Sequence, residues 1–328
     1  VMAIQSPHLS FHRVNIDARR GMKGANGERY TSFAEEGVMG KDGVEACSTG
    51  LGGDAVTKLC EGSAFSKSGQ GGSGIPTLQS NGGKGTPDYP SPSGDGGYGE
   101  NGPLCKNGND GARGTEGLHG DGGSGVGWLS IKAGYIAMPG KVGATGTPGQ
   151  GGGGGGGAAP PESCPLGVPV YGASGASGGT GGCGGKGGSP GLGGGASIAL
   201  ALINSPVQIT SSTLHAKDGG AGGDGGPGQT GGSGKSGGSP KSGVNSHESC
   251  GGGRGGQGGM GGRGGGGAGG ASVAIAYVGE APTQTDVTAM TASVGAPGGV
   301  GLGSDAANGS GETGRTATLL ELQLASDN

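Results

Sequence analysis

Residues 218–238 read DGGAGGDGGPGQTGGSGKSGG, and twelve of these twenty-one residues are glycine. Neither an α-helix nor an ordinary strand tolerates that, because each glycine costs backbone entropy and brings no side chain to pack. The register of the other residues separates a flexible linker from a structure built on glycine. Counted in threes, Asp218, Ala221, Asp224, Pro227, Thr230, Ser233, Ser236 and Ser239 share one phase, and the other two phases are glycine except at Gln229 and Lys235. Between residues 251 and 270, Arg254, Gln257, Met260 and Arg263 again share a phase, with Ala268 outside it. Between 172 and 195 the shared phase is Ser174, Ser177, Thr180, Cys183, Lys186, Ser189 and Leu192.

A period of three is the repeat of the polyproline II conformation, which has three residues per turn and about 3.1 Å rise. Phase then becomes face. Each run has two bare faces and one decorated face, and bare faces let neighbouring backbones approach closely enough for N–H to C=O bonds between them. Two other runs carry a single glycine face. Gly96, Gly99, Gly102, Gly108, Gly111, Gly114, Gly117, Gly120 and Gly123 form one, interrupted at Cys105; Gly140, Gly143, Gly146, Gly149, Gly152 and Gly155 form the other. One bare face means fewer neighbours, so these runs belong at the rim and the two-faced runs inside. Shorter patches occur at Gly21, Gly24, Gly27 and at Gly37, Gly40, Gly43. Collagen is excluded, because it needs unbroken G-X-Y and far more proline than 18 in 328 residues.

Apolar segments of period two punctuate the runs and read as strands. ASIALALI (196–203) is followed by a turn at Asn204-Ser205-Pro206 and by VQITSSTL; ASVAIAYV (271–278) repeats the pattern, and WLSIKAGYIAM near Trp128 reads as a third copy. HLSFHRVNIDA and RTATLLELQLA read as further strands near the two ends. The expected fold is therefore mainly irregular and β, a bundle of polyglycine II helices with short antiparallel strand modules and little or no α-helix. Residues 1–93 read as an N-terminal, disulfide-bearing region and 94–328 as the bundle with its strand modules, the two forming one continuous unit.

Composition narrows the function. Twenty basic and 24 acidic side chains nearly balance, and no basic tract points to nucleic acid. No run of about 18 apolar residues could span a bilayer as a helix. Val1 opens the chain without an initiator methionine, which suits a mature secreted protein. Cys47, Cys60, Cys105, Cys164, Cys183 and Cys250 lack zinc-ligand spacing and are expected to form three disulfides in an extracellular, oxidising compartment, with 15 connectivities open. GxSxG at Gly175–Gly179 lies inside a glycine run rather than at a strand-to-helix elbow, so Ser177 reads as structural. No catalytic, cofactor-binding or metal-binding set emerges, and the chain is not read as an enzyme. The loops DYPSPSGDGGY (88–98) and KSGVNSHESC (241–250) are candidate ligand contacts through Tyr89, Tyr98 and His247.

The three-residue register resembles that of polyglycine II bundle proteins, a group that includes springtail antifreeze proteins and the tip adhesins of phage long tail fibres. Runs that flank short apolar strands are also similar to glycine-rich secreted bacterial proteins. The resemblance covers about half the chain and transfers no binding residue. The leading expectation is an extracellular structural protein that self-associates into a filament, surface fibre or sheath, with residues 8–18 and 315–325 as assembly elements. The alternative is an adhesin that presents loops at the bundle tips to a cell-surface glycan or receptor, and the third is an ice-binding protein.

Overall fold

The computed structural model describes residues 1–100, 104–243, 247–301 and 309–326. Gly102 and residues 244–246 of the 241–250 loop lie outside the described residues. Within them the chain is almost entirely non-helical, with one three-residue 3-10 turn at Glu61–Ser63 and a set of small sheets.

The chain begins with β1 (Met2–Ile4), β2 (Ser10–His12) and β3 (Asn15–Asp17). Two hairpins follow, β4 (Thr57–Leu59) with β5 (Phe65–Lys67) and β6 (Trp128–Ser130) with β7 (Gly134–Ile136). Then come β8 (Ser197–Ile203), β9 (Gln208–Thr210) and β10 (Thr213–His215), and β11 (Ser272–Val278), β12 (Thr283–Thr285) and β13 (Thr288–Met290). β14 (Thr316–Glu321) and β15 (Gln323–Leu324) complete the set.

The three triplets stack as three turns of a three-sided coil. Strand one of each triplet pairs with strand one of the next, and likewise for strands two and three, so that Leu202 lies between Ala3 and Tyr277, Ile209 between Phe11 and Gln284, and Leu214 between Ile16 and Ala289. The corners stack as well. Gln5, Asn204 and Gly279 occupy the first, with φ of 48°, 48° and 91°; Arg13, Ser211 and Asp286 occupy the second, with φ of 51°, 49° and 51°. A single left-handed residue turns each strand through the corner, which Gly and Asn accept at least cost.

The expected antiparallel modules are corrected here. All pairing between modules is parallel; among the described residues antiparallel pairing is confined to the β4–β5 and β6–β7 hairpins and a single bridge between Lys67 and Thr86. The reason is that a long glycine run leaves each triplet and carries the chain back to its starting side, which is what a parallel pair requires of its connection. The third copy of the module is also not the segment around Trp128, which forms a hairpin outside the coil with β15 beside it. It is β1–β3, and the sequence carries a signal for it: Ile4-Gln5-Ser6-Pro7 matches Ile203-Asn204-Ser205-Pro206.

Leu200, Leu202, Ile209, Leu214 and Ile275 fill the coil and are fully buried; Leu129, Ile203, Val273, Leu320 and Leu322 pack on the other face of β8, β11 and β14. Burial on both faces explains why SIALALI and SVAIAYV are nearly continuous apolar runs. At about 1.5–3 kcal/mol per fully buried aliphatic side chain, this end carries most of the hydrophobic stabilisation.

The glycine runs extend from the coil and bond to one another at three-residue intervals. Gly140, Gly143, Gly146 and Gly149 donate to Gly191, Gly188, Gly185 and Gly182, an antiparallel pair; Gly179, Gly182, Gly185 and Gly188 donate to Gly253, Gly256, Gly259 and Gly262, a parallel pair. The 218–238 run donates antiparallel into 177–195 from Gly220, Gly223, Gly226, Gln229 and Gly232, while Gly21, Gly24 and Gly27 donate into it in parallel. At Gly151–Gly157 successive amides go to Thr86, Gly179, Asn109, Gly83, Ala176, Lys106 and Ser80, so a stretch bare on every face is surrounded on every side. The rim expectation fits the exposed side chains of 108–121 and of 141–145 but is corrected for the second half of the 140–155 run, where residues 148–155 are buried because loss of side chains in every phase lets runs pack on all sides. One face departs from simple solvation. Ser174, Ser177 and Thr180 are fully buried, and their hydroxyls accept from the amides of Val44, Lys41 and Val38 at 2.8, 2.8 and 2.6 Å.

Residues 1–93 and 94–328 interleave. β1–β3 complete the coil, and residues 21–44 are hydrogen-bonded to both 174–195 and 218–236. The first run also holds one extra residue: Gly27 donates to Asp224 but Ala34 donates to Thr230. Gln229, which breaks the glycine phase, serves this slip. Its Oε1 accepts from the Lys186 amide and its Nε2 donates to the Ser32 carbonyl.

Candidate functional site at the loop end of the bundle

The apolar coil closes one end of the runs, next to residues 192–197, 216–220 and 268–272. The opposite end is built from loops near residues 44–52, 73–80, 98–100, 104–106, 158–172, 241–243 and 247–250. Cross-links hold these loops. Cys47–Cys164 and Cys105–Cys250 lie at this end and Cys60–Cys183 lies along the bundle, with Cα separations of 5.6, 5.9 and 5.6 Å. All six cysteines are thus paired as three disulfides.

Two of the three candidate contact residues, Tyr98 and His247, lie on loops joined here by the Cys105–Cys250 bridge. Glu100 is almost enclosed, its side chain 4% exposed; Oε1 lies 2.8 Å from His247 Nδ1 and Oε2 accepts from the Ala159 amide at 2.7 Å. Two residues away, Tyr98 is 65% exposed, with the Lys106 ammonium 5.7 Å from its ring centre. The Cys105–Cys250 bridge joins the two loops. On the same loop pair the Lys241 ammonium, together with the Ser239 amide, holds the Asp42 carboxyl below the usual carboxylate range, and Asp42 in turn raises Lys241. Tyr89 is not part of this cluster. Its hydroxyl lies 3.2 Å from Thr147 Oγ1 on the flank of the bundle, beside Lys84, Asp88 and Asp95.

The loop end also exposes apolar side chains that sequence reasoning did not single out. Leu166 is fully exposed, and Leu104, Leu51, Leu78 and Val170 are more than two-fifths exposed. A cleft of about 420 Å³ runs between Ile75, Pro76 and Leu78 on one side and Glu100, Ala159 and Pro160 on the other. The available signal was weak: each leucine is an isolated apolar residue among Gly, Pro and Cys, with no period to mark it.

Ser177 is fully enclosed and engaged by the Lys41 amide. Among the described residues no group of three His, Cys, Asp or Glu side chains could hold a metal ion, and no helix is long and apolar enough to cross a membrane. No protein-family model, curated protein or solved structure matches this chain.

Proposed function

We propose that the glycine runs are polyglycine II helices and that the protein is an extracellular structural subunit that self-assembles into a filament, surface fibre or sheath. The three-residue interval of the inter-run hydrogen bonds supports the first part, since a threefold screw returns each face at that interval. The observation that carries the second is the pair of open sheet edges on opposite sides of the coil. β1, β2 and β3 are edge strands on one side; β12, β13 and β14 are edge strands on the other, with all the strands of each sheet running in one direction. Unpaired edges are a template for another chain, and unlike edges on opposite sides give head-to-tail contact that propagates. β14 stands one strand beyond β12 and β13, so β14 of one copy and β1 of the next would join first. Disulfides support an oxidising, extracellular setting.

Proline tests the edges without touching the core. Ala201 donates to Val1, Gln5 to Ile203 and Arg13 to Thr210, so alternation turns the Met2 and His12 amides outward. Met2→Pro with His12→Pro removes only outward donors. Negative-stain microscopy should show fibres from the parent chain and none from this variant, at a melting temperature within a few degrees of the parent. Intact fibres from the folded variant would overturn the assignment.

The exposed loop end favours a second reading, an adhesin that holds a cell-surface glycan or receptor between disulfide-bound loops. Tyr98 offers a ring face and Leu166 an apolar contact. Tyr98→Ala with Leu166→Asp should lower retention on a glycan array at least tenfold and leave the melting curve unchanged. Equal retention would remove this reading.

A further inference from the structure

The 251–270 run carries side chains in one phase at Arg254, Gln257, Met260 and Arg263, but the same phase is glycine at 266 and 269. The reason is visible at those two positions. A Cβ on Gly266 would lie 2.0 Å from the Gly299 oxygen, and one on Gly269 would lie 2.0 Å from the Ala296 oxygen. That phase therefore points at residues 295–301, an extended segment seated between the 218–238 and 251–270 runs. Its seat is a row of amides: Gly222 donates to Pro297 at 3.0 Å and Gly225 to Val300 at 2.9 Å, while Gly299 donates back to Gly267 at 2.8 Å.

The same row continues away from the coil at Gly231 and Gly234, whose amides have no hydrogen-bond partner among the described residues. Here side chains cover the face instead of a chain. Gln257 Nε2 donates to the Gly231 carbonyl at 3.4 Å and Arg254 Nε donates to the Gly234 carbonyl at 3.3 Å. We propose that Arg254, Gln257 and Met260 fill a latent binding position for an extended glycine-rich chain, in line with the seat of residues 295–301 and separated from it by Arg263, and so set where the bundle stops adding runs. The occupant it fits has carbonyls spaced every third residue to accept from Gly231 and Gly234, and glycine wherever it meets the 251–270 run. Its order of events is independent of fibre formation, because the seat lies on the bundle and not on the coil edges.

The probe is a synthetic peptide of three repeats of Gly-Ala-Pro-Gly-Gly-Val, the sequence of residues 295–300. Titrated into the labelled parent protein, it should leave the Gly231 and Gly234 amide resonances unmoved. In R254G/Q257G/M260G it should shift both and bind at least tenfold more tightly. In R254A/Q257A/M260A it should bind no better than in the parent, because a Cβ in this phase collides with a seated backbone; a gain from lost charge or lost side-chain bulk alone would appear in both variants. A folded glycine variant that ignores the peptide, or an alanine variant that binds as well, overturns the proposal. Should the triple glycine variant fail to melt cooperatively, R254G/Q257G supplies the same readout at Gly231 and Gly234, and unmoved resonances there count equally against it.

Discussion

Gly182→Ala is expected to destabilise the protein by about 3 kcal/mol, the upper part of the overpacking range, while Gly251→Ala leaves stability unchanged or slightly raised. Gly182 donates to the Gly256 carbonyl and accepts from Gly149, so it touches two neighbouring runs through its backbone. A Cβ there would lie 2.0 Å from the Gly232 oxygen and 2.3 Å from its carbon, inside a third run. No rotamer relieves this, because the colliding atoms are backbone on both sides. The runs must separate, and separation lengthens the hydrogen bonds that are their main attraction. At Gly251 the nearest atom to an added Cβ is Pro240 Cδ at 3.4 Å, an ordinary contact, and the amide keeps its bond to Asn107 Oδ1. Alanine there restricts the unfolded chain, which contributes about 0.4–1 kcal/mol where the native backbone suits it. Thermal melts of the two variants check the pair. Equal effects would mean that the runs do not pack backbone to backbone.

Reduction with dithiothreitol is the second large effect. Each bridge closes a long loop, with sequence separations of 117, 123 and 145 residues. On the chain-entropy account a loop of about 100 residues contributes roughly 4.7 kcal/mol, and removal of one native disulfide typically costs about 2–5. Three such losses are comparable to the whole net stability of an ordinary protein, about 5–15 kcal/mol. The loss should also be uneven along the molecule. The coil end keeps its apolar core, whereas the loop end has exposed leucines, glycine backbone and two of the three bridges. After reduction, amide exchange should become fast at residues 150–178, 234–243 and 247–256 and stay slow at 197–203 and 272–278. Uniform protection in the reduced protein would assign the stability of the loop end to something other than its bridges.

Several features could be read before any fold was known. The three-residue glycine register in 172–195, 218–239 and 251–270 specifies which faces are bare, because a side chain there has nowhere to go, and the poly-glycine stretch 151–157 is the most enclosed of all for that reason. Six cysteines without zinc spacing became three disulfides, and apolar period-two segments became strands. At the loop end, Tyr98 and His247 were legible as loop residues; the pairing of His247 with Glu100 was not.

Tertiary structure alone decided partner choice. A bare face states that a neighbour is present, not which one or in which direction, since every glycine backbone offers the same donor and acceptor. Direction came from the corners and connections: left-handed residues at 5, 204 and 279 stack the triplets into a parallel coil, where turn residues in the sequence suggested hairpins. Likewise, the sequence marked Ser174, Ser177 and Thr180 only as a decorated face; the fold buries it, because each hydroxyl satisfies an amide of residues 38–44 that has no carbonyl opposite it. Local chemistry determined what each face could accept, and only the assembled chain determined what it received.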